Sequence, residues 1–141
     1  MPIFAEYIWI DGTRPTKLTR SKTRILPDDA VNHSGNPLEP ISIAGFPLWS
    51  SDGSSTCQAS GRDSDIGLVP VRAVIDPLRG GNSFLVLCEV LSPLGVPHAS
   101  NTRAELRRVI DAGADAAGAL FGFEQEYTFL SPDRRPLGFP A

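Results

Sequence analysis

An octapeptide at residues 121–128, Phe-Gly-Phe-Glu-Gln-Glu-Tyr-Thr, sets two carboxylates two positions apart in a run that otherwise reads as a buried strand. Side chains alternate faces along a strand, so Glu124 and Glu126 share one face, with carboxylates roughly 6–7 Å apart. Like charges at that spacing repel by about 2–3 kcal/mol at an effective dielectric of about 20, and by only about 0.6 kcal/mol in water. The face is therefore either solvated, or it meets a cation such as Mg²⁺ or Mn²⁺, because a buried uncompensated carboxylate takes up a proton instead. Such a strand, running to about Leu130, needs neighbours on both edges. No later segment reads as a returning strand, so the chain is expected to stop inside an unfinished second domain.

The remaining bounds are permissive. A chain of 141 residues, 41% hydrophobic and with a formal charge of -3, suits a globular protein, one able to bury about two-thirds of its unfolded surface. Its mild acidity disfavours a nucleic-acid partner, and no apolar run approaches the roughly 20 residues needed to cross a bilayer. Cys57 and Cys88 have no metal-type spacing, and the N-terminus has no secretory apolar segment, so a reducing, cytoplasmic setting and free thiols are expected.

Residues 3–10 (IFAEYIWI) are rich in aromatic and β-branched side chains and close on Asp11-Gly12, and residues 18–26 alternate as their partner, which predicts an antiparallel hairpin with a wide turn. Residues 27–47 shift to Pro, Asn, Asp, Gly and Ser and read as a long surface loop. Strand-like pieces follow at 66–71, 73–75 and 84–91, with Pro77 and Gly80-Gly81 marking the last gap. The spacing of Leu106, Val109, Ile110 and Ala114 predicts one helix, capped by Ser100 or Asn101 and ending near Gly113. Arg103, Arg107 and Arg108 read as its exposed face. His33 and His98 read as surface residues, Trp49 as packing, and Asp52-Gly53, taken alone, as a turn.

A family resemblance rests on an ordered series of motifs across nearly the whole chain. These are Ala5-Glu-Tyr-Ile-Trp-Ile-Asp-Gly, Arg20-Ser-Lys-Thr-Arg24, Pro47-Leu-Trp49, Asp52-Gly-Ser-Ser-Thr56, Leu68-Val-Pro-Val71, Asp76-Pro-Leu-Arg79, Leu85-Val-Leu-Cys-Glu-Val90, Asn101-Thr-Arg103 and residues 121–128. In this order they resemble the N-terminal part of glutamine synthetase of the type common in eukaryotes and some bacteria. The resemblance implies an α+β architecture: a β-grasp domain over residues 1–97, then the truncated start of a catalytic domain over 98–141, a helix followed by the metal-ligand strand.

It further implies ATP-dependent ligation of ammonia to L-glutamate through γ-glutamyl phosphate, in a homo-oligomeric ring with active sites between subunits. By this resemblance Glu124 binds the metal on the nucleotide phosphates and Glu126 the metal near the glutamate carboxylate. Asp52 lies on the loop that reaches a neighbouring subunit's active site, where it helps bind and deprotonate ammonium; Ser54 and Ser55 flank it on the substrate side. Hard oxygen ligands of this kind suit Mg²⁺ or Mn²⁺. The chain departs from the family pattern at Trp49-Ser50-Ser51 and in the loop after Pro27, and it lacks the family's later glutamates, histidine, arginines and flap. Three readings follow: an N-terminal piece of a glutamine synthetase, inactive alone; a non-catalytic β-grasp assembly or regulatory module that joins rings of the full-length enzyme; or an independent small metal-binding domain.

Overall fold

The computed structural model describes residues 1–36 and 39–138. Five strands form one sheet: β1 (Ile3–Ile10), β2 (Thr19–Leu26), β3 (Trp49–Asp52), β4 (Asp65–Ile75) and β5 (Ser83–Leu91). Their spatial order is β2-β1-β5-β4-β3. β1 and β5 run parallel at the centre, and every other pairing is antiparallel.

Alternation explains why these segments are strands. Ile3, Ala5, Tyr7 and Trp9 of β1 point to the core, as do Phe84, Val86, Cys88 and Val90 of β5 and Ile66, Leu68 and Ala73 of β4. Burying an apolar side chain of the size of Phe84 or Val86 contributes about 1.5–3 kcal/mol. The hairpin register pairs Ile3 with Leu26 and Ile10 with Thr19, and Asp11 N–H donates to Leu18 O at 2.9 Å to close the wide turn.

Two expectations from sequence are revised in the sheet. The pieces at 66–71 and 73–75 are one strand, β4, whose pairing with β5 shifts register between Pro70 and Arg72. Proline has no N–H for the ladder, and a bulge is where a strand tolerates it. The loop from Pro27 is also more than surface covering. Val31, Ile41 and Phe46 are buried in the core cluster, and Phe46 meets Phe84 edge-on with ring centroids 5.6 Å apart. A short 3-10 turn, Ile43–Gly45, lies in this segment. It closes the sheet's inner face, which bare strands would leave wet.

Helix α1 (Thr102–Asp111) is capped by Asn101, whose side chain accepts from Ala104 N–H at 3.2 Å. Ion pairs Glu105–Arg108 and Arg107–Asp111 run along it, and Gly113, at φ +106°, ends it in a conformation that favours glycine. No residue of α1 is buried. Leu106, Val109 and Ile110 instead line an open apolar groove of about 510 Å³ with Ala114, Ala117, Ala119 and Phe121.

The expected strand around residues 121–130 does not form. Among the described residues its one ladder contact is an isolated bridge between Leu130 and Pro136, and residues 120–130 are exposed throughout. Extended backbone needs a neighbour to take its hydrogen bonds, and among the described residues no strand lies alongside.

Candidate functional site

β3 is an edge strand held to β4 by four residue pairs, the last of them Asp52 with Asp65. Residues directly opposite in an antiparallel pair put their side chains on one face, so Asp52 and Asp65 share a face where β3 ends. The chain then turns sharply. Gly53 N–H donates to Ser64 O at 2.7 Å, while Gly53 O accepts from Gln58 N–H at 2.8 Å and Ala59 N–H at 3.1 Å. A Cβ at Gly53 would stand 2.6 Å from Ile66 Cγ2 and 3.0 Å from Ala59 Cβ, so this close approach requires glycine.

Asp52 itself is exposed. Its Oδ1 accepts from the Ser54 hydroxyl at 2.7 Å and from Ser54 N–H at 2.9 Å, and the Ser55 hydroxyl donates to Asp52 O at 3.0 Å. The Ser54 hydroxyl first, then its amide, hold the Asp52 carboxyl below the usual carboxylate range. Asp52 is thus an ionised carboxylate presented on a fixed loop. Both serine protons are directed inward to Asp52, which leaves each hydroxyl oxygen free to accept from a ligand.

Gln58, which no sequence motif marks, fixes the loop. It is 3% exposed, and its amide group makes four hydrogen bonds. Oε1 accepts from Trp9 Nε1 at 3.2 Å and from the Thr56 hydroxyl at 2.9 Å; Nε2 donates to Ile10 O at 3.0 Å and to Ser100 Oγ at 2.8 Å. Its partners lie up to 49 positions away, so no local pattern announces them. Gly12 N–H donating to Thr56 O at 2.9 Å adds a second tie from the hairpin turn. That turn is organised by the fully buried Asp11. Burial alone would raise its pKa, but the amides of Leu18 and Thr13, the Thr13 hydroxyl and Arg20 outweigh burial and hold the carboxyl well below its ordinary range.

Of the other sequence-predicted residues, Cys57 lies on this loop, whereas Glu124 and Glu126 are not brought to it. Trp49 packs edge-on against Tyr7 with Lys22 over its ring. Cys57 is exposed, and Cys88 is buried, its thiol pushed up to about 12 by desolvation. Glu124 and Glu126 are exposed on the extended segment after α1. Their oxygen donors suit a hard cation. Yet among the described residues no three His, Cys, Asp or Glu side chains gather as a metal-holding group, and two carboxylates fall well short of the six or so oxygens such an ion takes. Among the described residues no helix is long and apolar enough to cross a membrane.

A mixed sheet with a central parallel pair, closed by a loop and presenting an acidic turn from its edge strand, is a β-grasp module. Residues 2–93 match the family model described as the glutamine synthetase beta-Grasp domain, and the chain belongs to the glutamine synthetase family. It is 54% identical over 140 residues to a glutamine synthetase of Streptomyces hygroscopicus, covering 99% of this chain and 36% of that protein. Identity to the Streptomyces viridochromogenes glutamine synthetase is 51%, over 99% of this chain and 37% of the relative; to the chloroplastic glutamine synthetase of Chlamydomonas reinhardtii it is 46%, over 97% and 36%. The chain therefore spans little more than a third of the length of these relatives.

Proposed function

We propose that this chain supplies the N-terminal portion of a cytoplasmic glutamine synthetase, which ligates ammonia to L-glutamate at the expense of ATP through γ-glutamyl phosphate. Residues 1–97 form its β-grasp domain and 98–141 open its catalytic domain. The observation that carries this reading is the Asp52 loop: an ionised, outward-facing carboxylate, paired across the ladder with Asp65, on a turn too well anchored to collapse. Displayed from an edge strand, it can be offered to the active site of a second subunit in a homo-oligomeric ring. An ionised carboxylate on this turn attracts ammonium and can favour its deprotonation. Ser54 and Ser55 place acceptor oxygens on the substrate side of the same turn.

Glu124 would contribute to the cation on the ATP phosphates and Glu126 to the cation near glutamate. When bound, Mg²⁺ or Mn²⁺ neutralises phosphate and carboxylate charge. Among the described residues these two carboxylates are all that is assigned to the cations, so the 141 residues alone are expected to be inactive.

Joining this chain to the C-terminal portion of the Streptomyces hygroscopicus relative tests the reading. ATP-dependent glutamine formation by the fusion supports it, provided that the isolated chain makes none. An inert fusion that still assembles into rings would instead favour the assembly-module reading.

A further inference from the structure

We infer that a basic cleft between the hairpin turn and the start of α1 is a binding site for a small phosphate-bearing anion. It encloses about 310 Å³ and is lined by Gly12, Arg14 and Lys17 from the turn, Cys57 from the Asp52 loop, and His98 and Ser100 from the segment before α1. That volume falls at the lower end of small-ligand sites. It holds a phosphate with a small organic body.

The donors are available. Among the described residues neither Arg14 nor Lys17 makes an ion pair. The one nearby buried carboxylate, Asp11, is taken by Arg20 at 2.8 Å and by the turn amides. Lys17 Nζ donates to Ser100 O at 3.1 Å, which pins the ammonium at the cleft wall and leaves two of its three donors free. Ser100 N–H donates to His98 Nδ1 at 3.0 Å, so this nitrogen is the acceptor and Nε2–H remains as the ring's donor. A guanidinium fork, an ammonium and an imidazole converging on one cleft match the several acceptor oxygens of a phosphate better than the two of a carboxylate.

The same walls belong to the Asp52 loop's anchorage. Ser100 Oγ accepts from Gln58 Nε2 and contacts His98 Nδ1 at 3.0 Å, and Cys57 sits between the anchoring Thr56 and Gln58. An anion in the cleft therefore bears directly on how that loop is held.

Titration of the 141-residue chain with glycerol 3-phosphate, followed by amide NMR, tests the site, with glycerol and inorganic phosphate as parallel arms. The expected result is saturable shifts centred on Gly12, Thr13, Cys57 and Ser100 with glycerol 3-phosphate and none with glycerol. Shifts of equal affinity with inorganic phosphate would show that the phosphate group alone is read. Arg14→Gln with Lys17→Gln should weaken binding at least about tenfold, whereas Arg107→Gln, which removes one positive charge from α1, should leave it unchanged. Arg14 is exposed, so the single Arg14→Gln variant serves if the double variant loses its dispersed spectrum. Absence of saturable shifts, shifts centred elsewhere, or equal weakening by Arg107→Gln would overturn the inference.

Discussion

Gln58 and Ser100, 42 positions apart, meet in a buried side-chain hydrogen bond of 2.8 Å. It joins the loop carrying Asp52 to the segment that opens α1, so the display of the acidic turn depends on residues far outside it. Gln58→Leu keeps much of the volume but strands Trp9 Nε1 and Ile10 O. Unsatisfied buried groups cost about 1–3 kcal/mol each, and partial relaxation brings the expected loss to about 2–4 kcal/mol. Urea unfolding measures it, and amide exchange at Ser54 and Ser55 should accelerate beyond what global destabilisation explains.

Asp11 ties the hairpin turn together through a carboxyl held well below its ordinary range. A depressed folded-state pKa stabilises the fold above the unfolded value of about 3.9 and loses that contribution as pH falls through the folded one. Stability should therefore drop as pH falls from about 5. Asp11→Asn should flatten that acid limb in chemical denaturation between about pH 5 and pH 2.5. An unchanged slope would mean that other carboxylates govern it.

A methyl group at Gly12 would lie 2.1 Å from Cys57 O, a backbone atom with little freedom to move. Gly12→Ala should therefore push the hairpin turn away from the Asp52 loop and cost about 1–3 kcal/mol or more. Gly122, where an added Cβ meets nothing within 4 Å, is the matched control, and Gly122→Ala should shift the thermal midpoint very little.

The hairpin, β5 and α1 were legible in the residues because their signals are local: aromatic and β-branched alternation, an Asp-Gly turn, an Asn cap followed by helix-spaced Leu106, Val109 and Ile110. What escaped was non-local. Trp49-Ser-Ser-Asp52 lacks an apolar alternation and is a strand because β4 lies beside it. Val31, Ile41 and Phe46 are scattered among loop-forming residues and show as core only against the sheet. Gln58 has no motif at all. The run from Phe121 to about Leu130 has the character of a strand, yet propensity alone does not form one without a partner to complete its ladder. Within the candidate site, the Asp52 turn was visible as Asp-Gly-Ser-Ser, whereas the anchorage that makes it rigid was not.

Glu124→Gln and Glu126→Gln, introduced separately in the fusion with the Streptomyces hygroscopicus C-terminal portion, should each raise the Mn²⁺ concentration needed for half-maximal glutamine formation by about tenfold or more. Both residues are exposed, so the thermal midpoint of the isolated chain should stay within about 1–2 °C, as expected for surface changes. Unaltered metal dependence in both variants would remove these residues from the proposed cation sites.

The central claim, that the Asp52 carboxylate receives ammonium, is tested most directly by steady-state kinetics of the fusion carrying Asp52→Asn. There kcat/KM for ammonium should fall about 10²- to 10⁴-fold, with KM for ammonium rising while KM for ATP and the unfolding midpoint hold. An Asp52→Asn enzyme with unchanged kcat/KM for ammonium would contradict it.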